Sequence, residues 1–299
     1  MTHTLTLIAN PAKHPLDVAI IEQLTTGLPG AGDPVWLSEG EACDIGFIAD
    51  TQSDFIQASE MARQALAGLP IDMVSQPALN RRKKLLVADM DSTLIGQECI
   101  DELADYAGLK PRIAAITERA MRGEIEFEPA LRERVSLLAG LDEEVLQRVY
   151  DERITLTPGA RTLARTMRDN GARTVIVSGG FTFFTERVAA AAGFHDNSAN
   201  VLEISGGKLS GTVREPILGQ QAKLDALRAY RERLSLDHAD TLAVGDGAND
   251  LAMITEAGLG IAFRAKPIVA EKASASITHG DLTALLFAQG YNRTEFVED

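Results

Sequence analysis

Apolar positions in the first 78 residues follow two periods. The stretches "TLTLIA", "PVWLS", "CDIGFIA" and "IDMVSQ" are strand-like, whereas "PLDVAIIEQLTTGL" and "DFIQASEMARQALAGL" carry apolar residues at helical spacing. The resulting order is βαββαβ, the split-βαβ or ferredoxin-like arrangement. A basic, polar stretch, "NRRKK" (80–84), follows and is read as a connector. Beyond it, "KLLVAD" is a continuous apolar run, as expected of a parallel strand covered on both faces. Residues 98–152 read as helices throughout, mostly closed by Gly. Alternation then resumes: helix 160–171, strand 173–180, helix 184–193, a hairpin turning at Gly206-Gly207, helix 219–234 and strand 241–247. The pattern predicts a doubly wound parallel α/β core with a helical insertion after its first strand, preceded by a small ferredoxin-like unit. The expected limits are 1–78 for the N-terminal unit, 79–96 with 155–299 for the core, and 97–154 for the insertion.

Composition narrows the partners. With 45% hydrophobic and 24% charged residues, the chain is an ordinary globular one. Its 29 Lys and Arg against 43 Asp and Glu give a net charge of −14, which repels nucleic-acid phosphates and anionic membranes and points to small molecules. Cys43 and Cys99 are too few for a disulfide framework and suit a reducing cytoplasm. The start of the chain lacks a basic region followed by a long apolar core, and no apolar run is long enough to span a bilayer.

Ligands of open α/β sheets sit beyond the carboxyl ends of the strands. Three such ends stand out. The first carries Asp89 and Asp91, the second Ser178-Gly179-Gly180, and the third Gly245-Asp246-Gly247 with Asn249 and Asp250 just after it. Lys223 lies near the start of helix 219–234. Residues two apart on an extended chain face the same way, so Asp89 and Asp91 are expected to aim at one pocket beside Asp246 and Asp250. Carboxylates in that number require a cation, and oxygen ligands without His or Cys favour Mg2+ over zinc. The Ser178 hydroxyl, the N–H groups of a Gly-Gly turn opening a helix, and Lys223 are donors suited to phosphate. Together they read as phosphoryl transfer. Asp89 and Asp91 could also open an EF-hand loop, but its sixth position is Leu94 rather than Gly and its twelfth is Ile100 rather than Glu. Taken singly, the glycines read as turns and the lysine as a solvated residue; their shared location at strand ends counts against that.

"DMDSTLI", "VIVSGGF", Lys223 and "VGDGANDLAMI" resemble, in order, the motifs of the haloacid dehalogenase superfamily of phosphatases, and the chain looks like its phosphoserine phosphatase branch over residues 83 to about 285. The resemblance implies the superfamily's doubly wound, Rossmann-like parallel sheet with a helical cap inserted after the first core strand. It further implies an ACT-like module in the ferredoxin-like unit. It makes Asp89 the nucleophile that becomes an aspartyl-phosphate and Asp91 the acid and base. Mg2+ is expected on Asp89, Asp246 and the main-chain carbonyl of Asp91, with Asp250 behind them. Ser178, Gly179, Lys223 and Asn249 are expected on the phosphate.

The same resemblance supplies candidates for substrate choice. Glu98 matches the position that pairs with the ammonium of phosphoserine, and Arg134 the one that grips its carboxylate. Met121 and Phe127 match apolar positions that close over the amino acid. On the helix of Arg134, Leu131, Val135 and Leu138 define the buried stripe, with Arg134 at its margin. The implied reaction is hydrolysis of O-phospho-L-serine to serine and phosphate, the last step of serine biosynthesis, by a cytoplasmic homodimer with serine as a regulator. Two alternatives stand beside it: another small amino-acid phosphomonoester such as phosphohomoserine, since one methylene is hard to resolve, and an amino-acid-sensing binding module.

Overall fold

The structure, a computed structural model, describes residues 1–121 and 124–298, without the side chain of Met121. β1 (His3–Ala9), α1 (Val18–Gly27), β2 (Val35–Ser38), β3 (Ala42–Phe47), α2 (Gln52–Ala65) and β4 (Ile71–Pro77) follow the predicted order. Local chemistry starts both helices. Asp17 accepts the Ala19 N–H ahead of α1, and Thr51 and Asp54 form a reciprocal capping box ahead of α2. β1 lies between β3 and β4 and is antiparallel to both, and β2 pairs with β3, which is the ferredoxin-like neighbour order. Alternation along β1 turns Leu5 and Leu7 into a core with Leu24, Ile45, Phe47 and Ala62.

β5 (Leu85–Ala88) opens the second part and is wholly buried. After it come the inserted helices α3 (Cys99–Tyr106), α4 (Lys110–Met121), α5 (Phe127–Ser136) and α6 (Glu144–Arg153). The chain then runs through α7 (Ala160–Asp169), β6 (Arg173–Phe181), α8 (Thr182–Ala192), β7 (Asp196–Asn200), the hairpin β8 (Leu202–Ser205) and β9 (Lys208–Val213), and α9 (Gln220–Arg233). It ends with β10 (Thr241–Gly245), α10 (Leu251–Glu256), β11 (Leu259–Phe263), α11 (Pro267–Ala270), β12 (Ala275–Ile277) and α12 (Ala284–Ala288). β12, β11, β10, β5, β6 and β7 are neighbours in that order and all parallel. β5 therefore delivers its carboxyl end between those of β10 and β6, the place where a doubly wound sheet holds its ligand. The β8–β9 hairpin reaches the insertion: Leu209 exchanges backbone bonds with Gly140 and Leu141 at 2.9 and 2.8 Å.

Two features go beyond the sequence pattern. β4 pairs antiparallel with β12 through Met73 and Ser276, so the N-terminal strands and the core strands form one sheet of ten among the described residues. The basic connector is also packed rather than free. Arg81 reaches Asp44 at 2.6 and 3.0 Å, and Lys83, 6% exposed, donates to the Asn80 and Ala239 carbonyls. Among the described residues no helix is long and apolar enough to cross a membrane.

Candidate active site

β5 leads directly into Asp89, whose backbone is extended and whose N–H still bonds the Val244 carbonyl of β10. Asp91 is extended as well, and the chain then turns at Ser92, which takes a left-handed φ of +55°, and the Ile95 N–H returns to the Met90 carbonyl. Asp89 Oδ1 accepts the Met90 N–H at 2.8 Å and meets Lys223 Nζ at 2.7 Å. Lys223 also donates to Asp250 Oδ1 at 2.6 Å, and Asp250 Oδ2 accepts the Gly247 N–H at 3.0 Å. All of this is buried: Lys223 is 1% exposed and Asp250 fully enclosed. A side chain at Gly245 would place its Cβ 2.3 Å from the Asp250 carboxyl carbon, so the glycine makes room for that carboxylate.

The electrostatics are unbalanced toward negative charge. Burial alone would lower the Lys223 pKa, but the charges of Asp89 and Asp250 outweigh it and hold the ammonium above the ordinary lysine range. Burial and then the charge of Asp250 push the Asp89 carboxyl well up despite Lys223, and the same two causes raise Asp246. Carboxylate oxygens of Asp89, Asp246 and Asp250 lie within 4.8 Å of one another. One ammonium cannot neutralise three carboxylates, and hard oxygen donors fit a hard divalent cation. Both oxygens of Asp250 are already engaged by Lys223 and the Gly247 N–H, which leaves Asp89 and Asp246 the freer donors.

Asp91 faces a different set of partners. Its Oδ1 accepts the Cys99 N–H at 2.9 Å, a free donor in the first turn of α3, and its Oδ2 accepts from the Ser178 hydroxyl at 3.3 Å. Burial raises its pKa, with the Cys99 and Ser178 bonds opposing. Gly180 leaves the space that Asp91 uses, since a Cβ there would stand 2.7 Å from Oδ2. Its N–H donates to Ser178 Oγ at 2.9 Å, which fixes the serine at the end of β6.

The insertion closes one side of this site. Glu98 precedes α3 and accepts from Ser92 Oγ at 2.6 Å. It keeps solvent access, yet partial burial in the cleft and the charges of Asp91 and Asp246 push its carboxyl up to about 7. Arg134, on α5, feels Asp101, Glu98 and Asp91 electrostatically, and burial draws its pKa down from the ordinary value. Its hydrogen bonds are long, 3.3 Å to the Ala130 carbonyl and 3.5 Å to Thr117 Oγ1. The Phe127 ring lies over two glycines of the core: a Cβ on Gly179 or on Gly219 would stand 3.1 Å from it. Asn249 is half-buried with Oδ1 against Gly247, and its side chain makes no hydrogen bond among the described residues. The expectation for Met121 falls on a side chain outside the described residues.

A family profile for haloacid dehalogenase-like hydrolases matches residues 86–255, more than half of the chain. The chain belongs to that family. A phosphoserine phosphatase of Archaeoglobus fulgidus is 43% identical over 248 residues, covering 82% of this chain and 72% of the relative. One from Streptomyces coelicolor is 36% identical over 97% of this chain and 71% of its own length. Among solved structures, the unliganded form of a probable phosphoserine phosphatase from Vibrio cholerae superposes with a TM-score of 0.77 at 31% identity, covering 98% of this chain and 88% of that one. By these relatives the hydrolase falls in the phosphoserine phosphatase branch.

Several residues of the hydrolase's site escape sequence reasoning. Thr93 donates to Asp246 Oδ1 at 3.3 Å and Ser92 holds Glu98, although both stand in plain view beside Asp91. Asn200 is 2% exposed; its amide donates to the carbonyls of Gly179 and Leu218, and its Oδ1 accepts the Leu218 N–H. It thereby ties the Ser178 turn to the segment that leads into α9 and Lys223. No local pattern marks it, because its partners are backbone groups distant in sequence.

Proposed function

We propose that this hydrolase converts O-phospho-L-serine to L-serine and phosphate, with Asp89 as nucleophile and Mg2+ as cofactor. The observation that carries the reading is the split of two neighbouring carboxylates: Asp89 is held by Lys223 in the core, and Asp91 by Ser178 and the first turn of the cap. An Asp89 oxygen attacks phosphorus, the bond from phosphorus to the serine oxygen breaks, and Asp91 delivers a proton to that oxygen. Its raised pKa supports the protonated starting form. Water then attacks the aspartyl-phosphate, Asp91 takes the water's proton, and the bond to Asp89 breaks to release phosphate. Ser178, the Gly179 N–H, Lys223 and Asn249 hold the phosphate oxygens. When bound to Asp89, Asp246 and the main-chain carbonyl of Asp91, Mg2+ supplies positive charge against the phosphoryl oxygens. Asp250 positions Lys223 from behind. Glu98 receives the ammonium, Arg134 the carboxylate, and Phe127 and Met121 close over the amino acid. Asp89→Asn keeps the shape of the site, and its turnover with Mg2+ is expected to fall on the order of 10^4-fold. Retained turnover would remove Asp89 as nucleophile. Comparing phosphoserine with phosphohomoserine as substrates checks the choice of amino acid.

We further infer that residues 1–78 form an ACT-like module, 79–96 with 155–299 the phosphatase core and 97–154 a cap that closes on substrate. β2, the outer strand of the sheet, is the edge through which two copies pair into a homodimer. Serine acts as a regulator in the cavity of about 600 Å3 lined by Gly30, Asp50, Asp54 and Gln57 among others. Cys43 and Cys99, both free and buried, suit the cytoplasm. Calorimetric titration of the full chain with serine tests the regulator, and sedimentation tests the dimer.

A further inference from the structure

A second cleft opens where the N-terminal strands join the core. It encloses about 270 Å3 and is lined by Asn10, Lys13, His14, Arg264, Thr278 and His279, with Pro70 at its side. These residues come from four chain segments that meet at one end of four neighbouring strands in the middle of the sheet: the loop after β1, the approach to β4, and the ends of β11 and β12. In a protein of net charge −14, four basic or imidazole side chains converge here, and among the described residues no carboxylate lines the cleft. Among the described residues none of the four takes part in an ion pair. The nearby Asp72 is 4% exposed, and its carboxylate is occupied by the N–H groups of Thr278, His279 and Gly280 at 2.7 to 3.2 Å.

Arg264 is held in place by its surroundings. Its φ of +45° lies in the left-handed region that an arginine seldom occupies. Its N–H bonds the Ile277 carbonyl at 2.8 Å and its Nη2 donates to the Gly280 carbonyl at 3.1 Å. Both bonds join the end of β11 to the end of β12 across the cleft. Two residues on, the Lys266 N–H reaches the Asp246 carbonyl at 3.3 Å, so the cleft and the active site share one loop edge.

We propose that this cleft is a second binding site, separate from the substrate pocket, for a compact oxyanion bearing a phosphate or carboxylate group. Lys13 and Arg264 supply charge, the guanidinium a planar set of donors, and His14 and His279 further N–H groups. A local positive cleft in a negative protein concentrates such anions.

The five histidines provide a site-specific readout, because only His14 and His279 line the cleft and none lies in the active site. Proton NMR of the full chain in EDTA, assigned with His14→Gln and His279→Gln, is followed during titration with inorganic phosphate and, separately, with malonate. The ring signals of His14 and His279 are expected to move together along one saturating curve while His3, His195 and His238 stay still. Saturation by phosphate alone identifies a phosphate ligand, and saturation by malonate a carboxylate one. Arg264→Gly keeps the left-handed backbone available and is expected to weaken binding at least tenfold, as is the surface change Lys13→Ala. Absence of movement with either anion, uniform drift of all five signals, or unaltered curves in both variants overturns the site.

Discussion

The core and cap sides of the active site are built to different tolerances. On the core side Lys223, Asp250 and Ser178 are at most 2% exposed, and Lys223 meets its two carboxylates at 2.7 and 2.6 Å. On the cap side Glu98 keeps solvent access and accepts a short bond from Ser92, and among the described residues the hydrogen bonds of Arg134 are long and lie within the cap. The groups to which the proposed reaction assigns the phosphoryl group are held by one another, the arrangement that electrostatic catalysis requires. In the proposed reaction, Glu98 and Arg134, the groups assigned to the amino acid, would gain their strongest partners from the substrate itself, which would couple recognition to closure. Asp91 stands at the junction, since one of its oxygens bonds the core and the other the first turn of the cap.

The largest effect expected from breaking this contrast is at Lys223. Lys223→Met leaves Asp89 and Asp250 buried without their cation, which costs about 3 to 5 kcal/mol of stability when one partner of a buried ion pair is removed. Turnover is expected to vanish as well. Urea unfolding in EDTA checks the first point, and a midpoint matching that of the unchanged protein would show that the core side is not held by this lysine. The corresponding cap change, Arg134→Ala, should alter stability by about 1 kcal/mol or less, because the arginine gives up only long bonds.

The sequence made the core side legible and the cap side much less so. β5 and β10 read as continuous apolar runs, and the carboxylates sit at their ends where position alone suggests a role. β7 is "DNSAN", with no apolar pattern to mark it, and its Asn200 works through the backbone of distant segments. The joining of two sheets into one depends on β4 meeting β12 through main-chain pairing at Met73 and Ser276, which no side chain announces. Arg81 and Lys83 look like solvated connector residues because nothing local reveals Asp44 or Ala239 as partners. For Glu98 and Arg134, composition and spacing gave no reason to choose them over other charged helix residues. Only the family resemblance did so.

Arg134 offers the next test, on substrate rather than stability. Losing a charged hydrogen bond of about 1.5 to 3 kcal/mol corresponds to a KM for phosphoserine raised on the order of 10- to 100-fold. p-Nitrophenyl phosphate has no carboxylate, so its KM should change by no more than about twofold. Equal effects on both substrates would make Arg134 a structural residue of the cap and weaken the division of labour between the two sides.

The smallest expected effect is at Glu98, and it reads the electrostatic cost of placing this carboxylate beside Asp91 and Asp246. Its carboxyl is pushed up to about 7 in the folded protein, above the ordinary glutamate value of 4.5. Below the lower value both folded and unfolded chains hold the proton, and the group makes no difference to stability. Between the two values the folded chain keeps a proton that the unfolded chain releases, so stability falls as pH rises; above about 7 the penalty is complete. Glu98→Gln removes that penalty while keeping an acceptor for Ser92. Thermal unfolding in EDTA should therefore give equal Tm values for the variant and the unchanged protein near pH 4, with the variant higher by a few degrees, about the size of a 1 kcal/mol effect, at pH 8. A difference already present at pH 4 would assign the change to packing. No difference at pH 8 would mean that solvent at the cleft mouth already relieves the crowding by Asp91 and Asp246.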